Sequence, residues 1–146
     1  MKSLIVTLTA LFSIIGTSSK ANDIKVSDAI RQSFETTFKS SSDVRWTAGS
    51  GYYKAEFTYN KQVLTAYFDT DGVLFATTEN VKSSELPLLL QRNLKRELDG
   101  MWITDLFQVN DDNGTSYYAA LENAESKVVL KSTGSKWSVY QKQTKS

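Results

Sequence analysis

Two alternating runs separated by a two-residue connection narrow the choice of fold more than anything else in this chain. From Tyr52 to Tyr59, Tyr53, Ala55, Phe57 and Tyr59 fall on one side of an extended backbone, and Tyr52, Lys54, Glu56 and Thr58 on the other. Asn60-Lys61 turns the chain, and Val63 to Phe68 returns with Leu64, Ala66 and Phe68 toward the same core. Such a connection permits only antiparallel neighbours, because a parallel crossover needs a dozen or more residues. The pattern carries on through Ala66 to Leu74. There Phe68-Asp69-Thr70-Asp71-Gly72 is a hairpin signal, with Gly72 supplying a positive φ and Asp69 able to bond its own backbone. Val73 to Thr78 is then a further strand, so a meander with one apolar face is predicted.

Helices flank this meander in the sequence. Ser27 is a good N-cap, and Asp28 suits the positive end of a helix dipole. Ile30, Phe34 and Phe38 recur four apart, which predicts a helix over Ser27–Lys39, followed by a short strand at Val44–Ala48. A second helix is predicted from N-caps at Ser83 and Ser84, with Glu85 and Pro87 in its first turn. Its stripe is Leu86, Leu90, Leu94 and Leu98, widened by Leu89, and Gly100 is a natural stop. Strands follow at Trp102–Val109, Tyr117–Glu122, Lys127–Lys131 and Trp137–Gln141, with Asn113-Gly114 as a turn pair. The polar tail Lys142–Ser146 is expected to fray.

The first 21 residues read as a secretory signal. Lys2 gives a basic start, Leu4–Gly16 is apolar, and Ser19 and Ala21 stand where a signal peptidase looks for small side chains. The apolar run is shorter than the roughly 20 residues that span a bilayer, so no membrane anchor is expected. With no cysteine in the chain, a lipid-modified cysteine at the cleavage site is excluded. Cleavage after Ala21 would leave residues 22–146 as a single domain, carrying 15 basic and 16 acidic side chains, a net charge of −1. That balance makes no electrostatic case for nucleic acid. An exported chain without cysteine must also hold together by its core alone. The expected location is the periplasm or the exterior.

The two parts of the chain, about 26–79 and 83–141, line up as related halves. The Phe34/Phe38 helix matches the Leu94/Leu98 helix, and Tyr53–Phe57 matches Tyr117–Leu121. Phe68–Gly72 matches Leu130–Gly134, with the offset drifting as insertions in turns would make it. The fold expected is therefore α+β, two related halves, each a helix packed on one face of an antiparallel meander.

Taken together, several of these residues resemble a known family. They are the paired-Phe helix, Val44-Arg45-Trp46, Tyr53-x-Ala55-x-Phe57, Ala66-x-Phe68-Asp69-x-Asp71-Gly72 and Leu86-Pro87. In that order and spacing the chain resembles the PepSY-like proteins, exported bacterial proteins related in fold to the β-lactamase-inhibitor protein. The second half departs from the pattern, since Lys131 and Thr133 replace the two turn acids. The resemblance implies a β-lactamase-inhibitor-like α+β fold with helices on one sheet face and a non-catalytic, binding or inhibitory role. It assigns no functional residue.

Chemistry is mostly excluded. Without histidine or cysteine there is no serine–histidine or cysteine–histidine mechanism, no usual zinc site and no thiol redox chemistry. Asp69 and Asp71 do not make a calcium loop, because with Gly72 at the sixth position the first and twelfth would be Tyr67 and Thr78. No catalytic residue, metal or cofactor is therefore expected. A carboxylate pair of Glu56 with Asp69 or Asp71 is the remaining hydrolytic idea, and it would need a cleft. The favoured candidate is the sheet face turned away from the helices, with Tyr52, Lys54, Glu56, Thr65, Tyr67, Tyr118 and Lys131 binding another exported protein. The same residue types would also serve an ordinary solvated sheet face. The rival reading is a carrier of a small or lipidic ligand, held in a cavity lined by Phe34, Phe57, Phe68 and Leu90.

Overall fold

A computed structural model describes residues 24–146, so the signal segment over 1–21 lies outside the described residues. The first helix, α1 (Asp28–Thr37), leads into strands β1 (Ser42–Gly49), β2 (Tyr52–Tyr59), β3 (Gln62–Asp69) and β4 (Leu74–Asn80). A short 3-10 turn over Ser83–Glu85 precedes α2 (Leu88–Glu97), and β5 (Trp102–Asp111), β6 (Gly114–Glu122), β7 (Ser126–Thr133) and β8 (Lys136–Thr144) follow. The eight strands form one antiparallel sheet in chain order.

The helices begin and end for local reasons. Ser27 Oγ accepts the Ile30 N–H at 3.4 Å, as an N-cap should. The helix stops at Thr37, two residues before the predicted end, where Phe38 leaves helical geometry and its N–H closes on Phe34 O at 2.8 Å. The second helix starts later than the serines suggested. Leu86 precedes Pro87 and takes an extended ψ of 150°, because the proline ring crowds a helical residue before it. Ser83 and Ser84 therefore open only the 3-10 turn, and α2 begins at Leu88. Leu90 and Leu94 are buried beneath α2 and Leu86 just before it, but Leu89 faces outward and does not widen the stripe.

Register shows that both helices lie on the same side. Directly paired residues point to one face, and the line Ala55, Ala66, Thr77, Asn110 crosses β2 to β5 without changing it. Ala55 and Ala66 pack under α1 with Ile30, Phe34, Phe38, Phe57 and Phe68. Two residues along β5 from Asn110 is Gln108, and two further is Leu106, which packs under α2 with Ala119, Leu121, Leu130 and Trp137. Between these two apolar clusters the helix-side face is polar. Thr115 Oγ1 donates to Asn110 Oδ1 at 2.7 Å and Gln108 Nε2 to the same oxygen at 3.2 Å.

Each helix is tied to a hairpin. Asp69 Oδ1 accepts from the N–H groups of Asp71 and Val73, both at 2.9 Å, closing the acidic turn as its sequence predicts. Gly72 has φ +87°, and a Cβ there would lie 3.1 Å from Ala29 O, so this turn abuts the backbone of α1. The β7–β8 turn meets α2 differently: Asn93 Nδ2 donates to Ser135 O at 2.6 Å, and Trp137 Nε1 to Leu90 O at 3.0 Å.

The C-terminal tail is fastened, contrary to expectation. Strand β8 runs to Thr144, and Lys145 Nζ donates to Asn123 O at 2.7 Å and ion-pairs with Glu122 at 2.5 Å. The same ammonium lies 5.9 Å from the centre of the Trp102 ring, and the Lys145 N–H bonds Glu125 O at 2.7 Å. One lysine with three kinds of partner offsets the entropy that frees most termini. It also draws Glu122 below the usual carboxylate range, chiefly through that side-chain hydrogen bond.

Candidate interaction face

Strand alternation puts Tyr52, Lys54 and Glu56 on the sheet face opposite the helices, and pairing extends that face across the sheet. Lys54 stands across from Tyr67, Glu56 from Thr65, and Tyr118 from Lys131. Thr65 pairs with Thr78, Thr78 with Val109, and Val109 with Ser116, two residues from Tyr118. All seven residues named from the sequence therefore share one face. What differs from expectation is how they are presented. Tyr52, Lys54, Thr65 and Lys131 are half-buried and Glu56 is exposed, whereas Tyr67 and Tyr118 are buried, Tyr118 completely.

The burial is lateral. Tyr67 lies between Tyr52 and Phe75, with ring centres 6.2 and 6.1 Å away. Tyr118 is stacked on Phe107 at 5.3 Å and 6°, and meets Tyr140 edge-on at 5.3 Å. Lys131 Nζ stands 5.7 Å over the Tyr118 ring. Val109, Ala120 and Val129 fill the spaces around this second group. The face thus holds two aromatic clusters, one on β2–β4 and one on β5–β8.

Phe75, Phe107 and Tyr140 were not among the residues named from the sequence. Phe75 and Tyr140 are the extra residues of two bulges, at Tyr67/Phe68 and at Val129/Leu130, where simple alternation fails. Phe107 was legible, since consecutive Leu106 and Phe107 in a strand must serve opposite faces.

Electrostatics on this face are set mainly by burial. It pushes the Tyr67 phenol up to about 12, with a hydrogen bond to Thr78 acting the other way. Tyr118 is likewise pushed up to about 12, and its hydrogen bond with Ser116 opposes the rise. Lys54 is held below the usual lysine value by desolvation, partly restored by Glu56. Glu56 in turn reaches Arg45 on the edge strand at 3.8 Å.

The other sequence-based ideas fare differently. Phe34 packs edge-on against Phe57 at 4.9 Å and against Phe68 at 6.4 Å, so these rings fill the space that a carrier would leave open. Leu90 belongs to the separate cluster under α2, and the four residues proposed for the carrier do not line one cavity. Asp69 Oδ1 is taken up by its own turn, Asp71 stands exposed at the tip of that turn, and Glu56 faces Arg45. Among the described residues no group of three acidic side chains is arranged to hold a metal ion.

No family model matches this chain. No curated protein matches it either. Solved structures do. A BLIP-like protein from Bacteroides fragilis superposes with a TM-score of 0.69 at 14% identity, covering 83% of this chain and 87% of that one. A Bacteroides eggerthii chain named "putative periplasmic proteins" gives 0.73 at 14%, covering 83% and 90%. A DUF2874 family protein from Bacteroides uniformis gives 0.73 at 14%, covering 82% and 90%. The chain therefore has the BLIP-like α+β fold over most of its length. No helix among the described residues is long and apolar enough to cross a membrane.

Proposed function

We propose that this chain is an exported, non-catalytic binding module of PepSY-like type that captures another envelope or secreted protein, inhibiting or sensing it, through the face opposite its helices. The observation that carries the reading is the convergence of Tyr52, Lys54, Glu56, Thr65, Tyr67, Tyr118 and Lys131 on that one face. The buried tyrosines form a rigid aromatic floor, and the half-buried lysines and Tyr52 stand at its surface as contact groups. Rigid aromatics with mobile charges around them give contact area at low entropic cost. Export is supported by the N-terminal signal pattern and by the periplasmic name of one structural neighbour.

The two halves read as descendants of one unit. Each is a helix followed by four strands, and bulges recur at Ser42/Arg45 and Ile103/Asp105 and again at Tyr67/Phe68 and Val129/Leu130. The cross-strand pair Lys54–Tyr67 reappears as Tyr118–Lys131 with its members exchanged.

Affinity capture from the envelope fraction of the native cell tests the function. Lys54→Glu with Lys131→Glu should abolish capture while the fold survives, since neither side chain is in the core. Undiminished capture by a folded double variant would reject this face.

A further inference from the structure

Where β4 ends and β5 begins, the chain leaves an open groove of about 380 Å³. Its apolar walls are Val81, Ile103 and Leu106, and Asn80, Ser83, Thr104 and Asp105 supply the polar lining. The groove exists because the β5 bulge between Ile103 and Asp105 throws Thr104 out of the ladder. Thr104 Oγ1 donates its proton to Ala120 O at 3.2 Å, which leaves the oxygen's lone pairs as acceptors. Asp105 Oδ1 accepts the Leu106 N–H at 2.9 Å, which leaves Oδ2 uncommitted. Asp105 has no basic partner among the described residues, whose ion pairs are Arg45–Glu56 and Lys145–Glu122. Lys82 stands in sequence between two lining residues but does not itself line the groove.

We propose that this groove receives an arginine side chain from the protein captured on the open face. The guanidinium would meet Asp105 Oδ2, the Thr104 oxygen and the Asn80 carbonyl oxygen, and the methylene stem would lie against Val81, Ile103 and Leu106. An acceptor-rich end with apolar walls fits a long stem carrying five fixed donors better than a compact ammonium. The groove lies at the end of the sheet and spans its two sides. Asn80 and Asp105 pair with Phe107 and Ala120 of the aromatic floor, whereas Ile103 pairs with Leu121 and Leu106 packs under α2. The guanidinium would thus sit at the floor's edge and the stem along the helix side. Partial desolvation holds the exposed Asp105 carboxyl above its usual value, its bond to the Leu106 N–H only partly offsetting this. A cation placed beside it would relieve that penalty.

The inference rests on the open-face reading for its partner, but its test does not. The full mature chain is titrated with N-acetyl-Gly-Arg-Gly-amide while backbone amide shifts are followed by NMR. The neutral citrulline analogue and the glutamate analogue serve as comparisons. The arginine peptide should shift the amides of Val81, Thr104, Asp105 and Leu106 saturably. The citrulline and glutamate peptides, and the arginine peptide on Asp105→Asn, should bind at least about tenfold more weakly. Equal binding of arginine and citrulline peptides, or arginine shifts confined to other residues, would overturn the proposal. Because the peptide comparison uses the unmodified chain, it stands even if Asp105→Asn fails to fold. Failure here would leave capture through Lys54 and Lys131 to be decided separately.

Discussion

The ring of Tyr52 lies on Gly49, its direct cross-strand partner, so closely that a Cβ at position 49 would overlap Cζ and Cε1 of the tyrosine. The glycine at the end of the edge strand is thus a seat for an aromatic side chain, a recognised way of protecting backbone that lacks a side chain. It also sets where Tyr52 stands relative to Tyr67.

Replacing Gly49 with Ala should therefore evict the Tyr52 ring at small cost, because the atoms in conflict are the far end of a rotatable side chain. Thermal unfolding should move by no more than a few degrees, the equivalent of about 1 kcal/mol. Ring-current shifts between Tyr52 and Tyr67 should be lost, and partner capture should weaken. Unchanged ring shifts would show that Tyr52 is not seated there.

Gly72 should tolerate no side chain. Its φ of +87° already strains an L-residue, and its new Cβ would press on the main chain of α1 at Ala29. Gly134, with φ +61° and open space around it, isolates the conformational part of that cost. Gly72→Ala should lower stability by roughly 2–4 kcal/mol and Gly134→Ala by about 1 kcal/mol in urea unfolding. Equal losses would mean that the turn does not brace the helix.

The two faces of α2 should separate sharply. Leu94 is buried between helix and sheet, and Leu94→Ala should cost about 2–5 kcal/mol. Leu88, 78% exposed at the start of the same helix, should lose within about 0.5 kcal/mol on the same change. Chemical denaturation of the two variants side by side checks this.

Alkaline pH should unfold the aromatic floor. The phenols of Tyr67 and Tyr118 are held up to about 12, so the unfolded chain, whose tyrosines ionise near 10, sheds its protons first. Their share of stability is complete below pH 10 and lost as pH rises toward 12, on the order of 1–3 kcal/mol for each. Tyr118→Phe should flatten that decline, since it keeps the ring against Phe107 and removes the ionising group. Circular dichroism and phenolate absorbance across this range would show it. Because both tyrosines are floor residues, changing them to Ala would cost about 3–5 kcal/mol each and would not cleanly test binding.

Much of the fold was legible without coordinates. Strand alternation in Tyr52–Tyr59 and the Phe34/Phe38 and Leu90/Leu94 stripes depend on backbone period alone, so they predicted the elements and the buried sides. The acidic turn was legible because Asp69 bonds atoms only two and four residues away. The start of α2 is not legible from Ser83 and Ser84, because Leu86 is held extended before Pro87 and overrides their capping preference. The tail was missed because Lys145 is held by Glu122, Asn123 and Trp102, which no local pattern connects to it.

The amino-acid order by itself determined which residues alternate, which stripe a helix buries and which strand face Tyr52, Tyr67 and Tyr118 occupy, since all three follow from interactions within a few residues. Only the tertiary structure decided that Tyr67 and Tyr118 sink into aromatic clusters while Lys54 and Lys131 stay at the surface. It alone brought Asp105 into a groove with Asn80. Those outcomes depend on bulges that leave Phe75, Thr104 and Tyr140 as unpaired extra residues, and on neighbours supplied by strands distant in the chain. A bulge is a compromise between two strands, and the sequence of either one does not announce it.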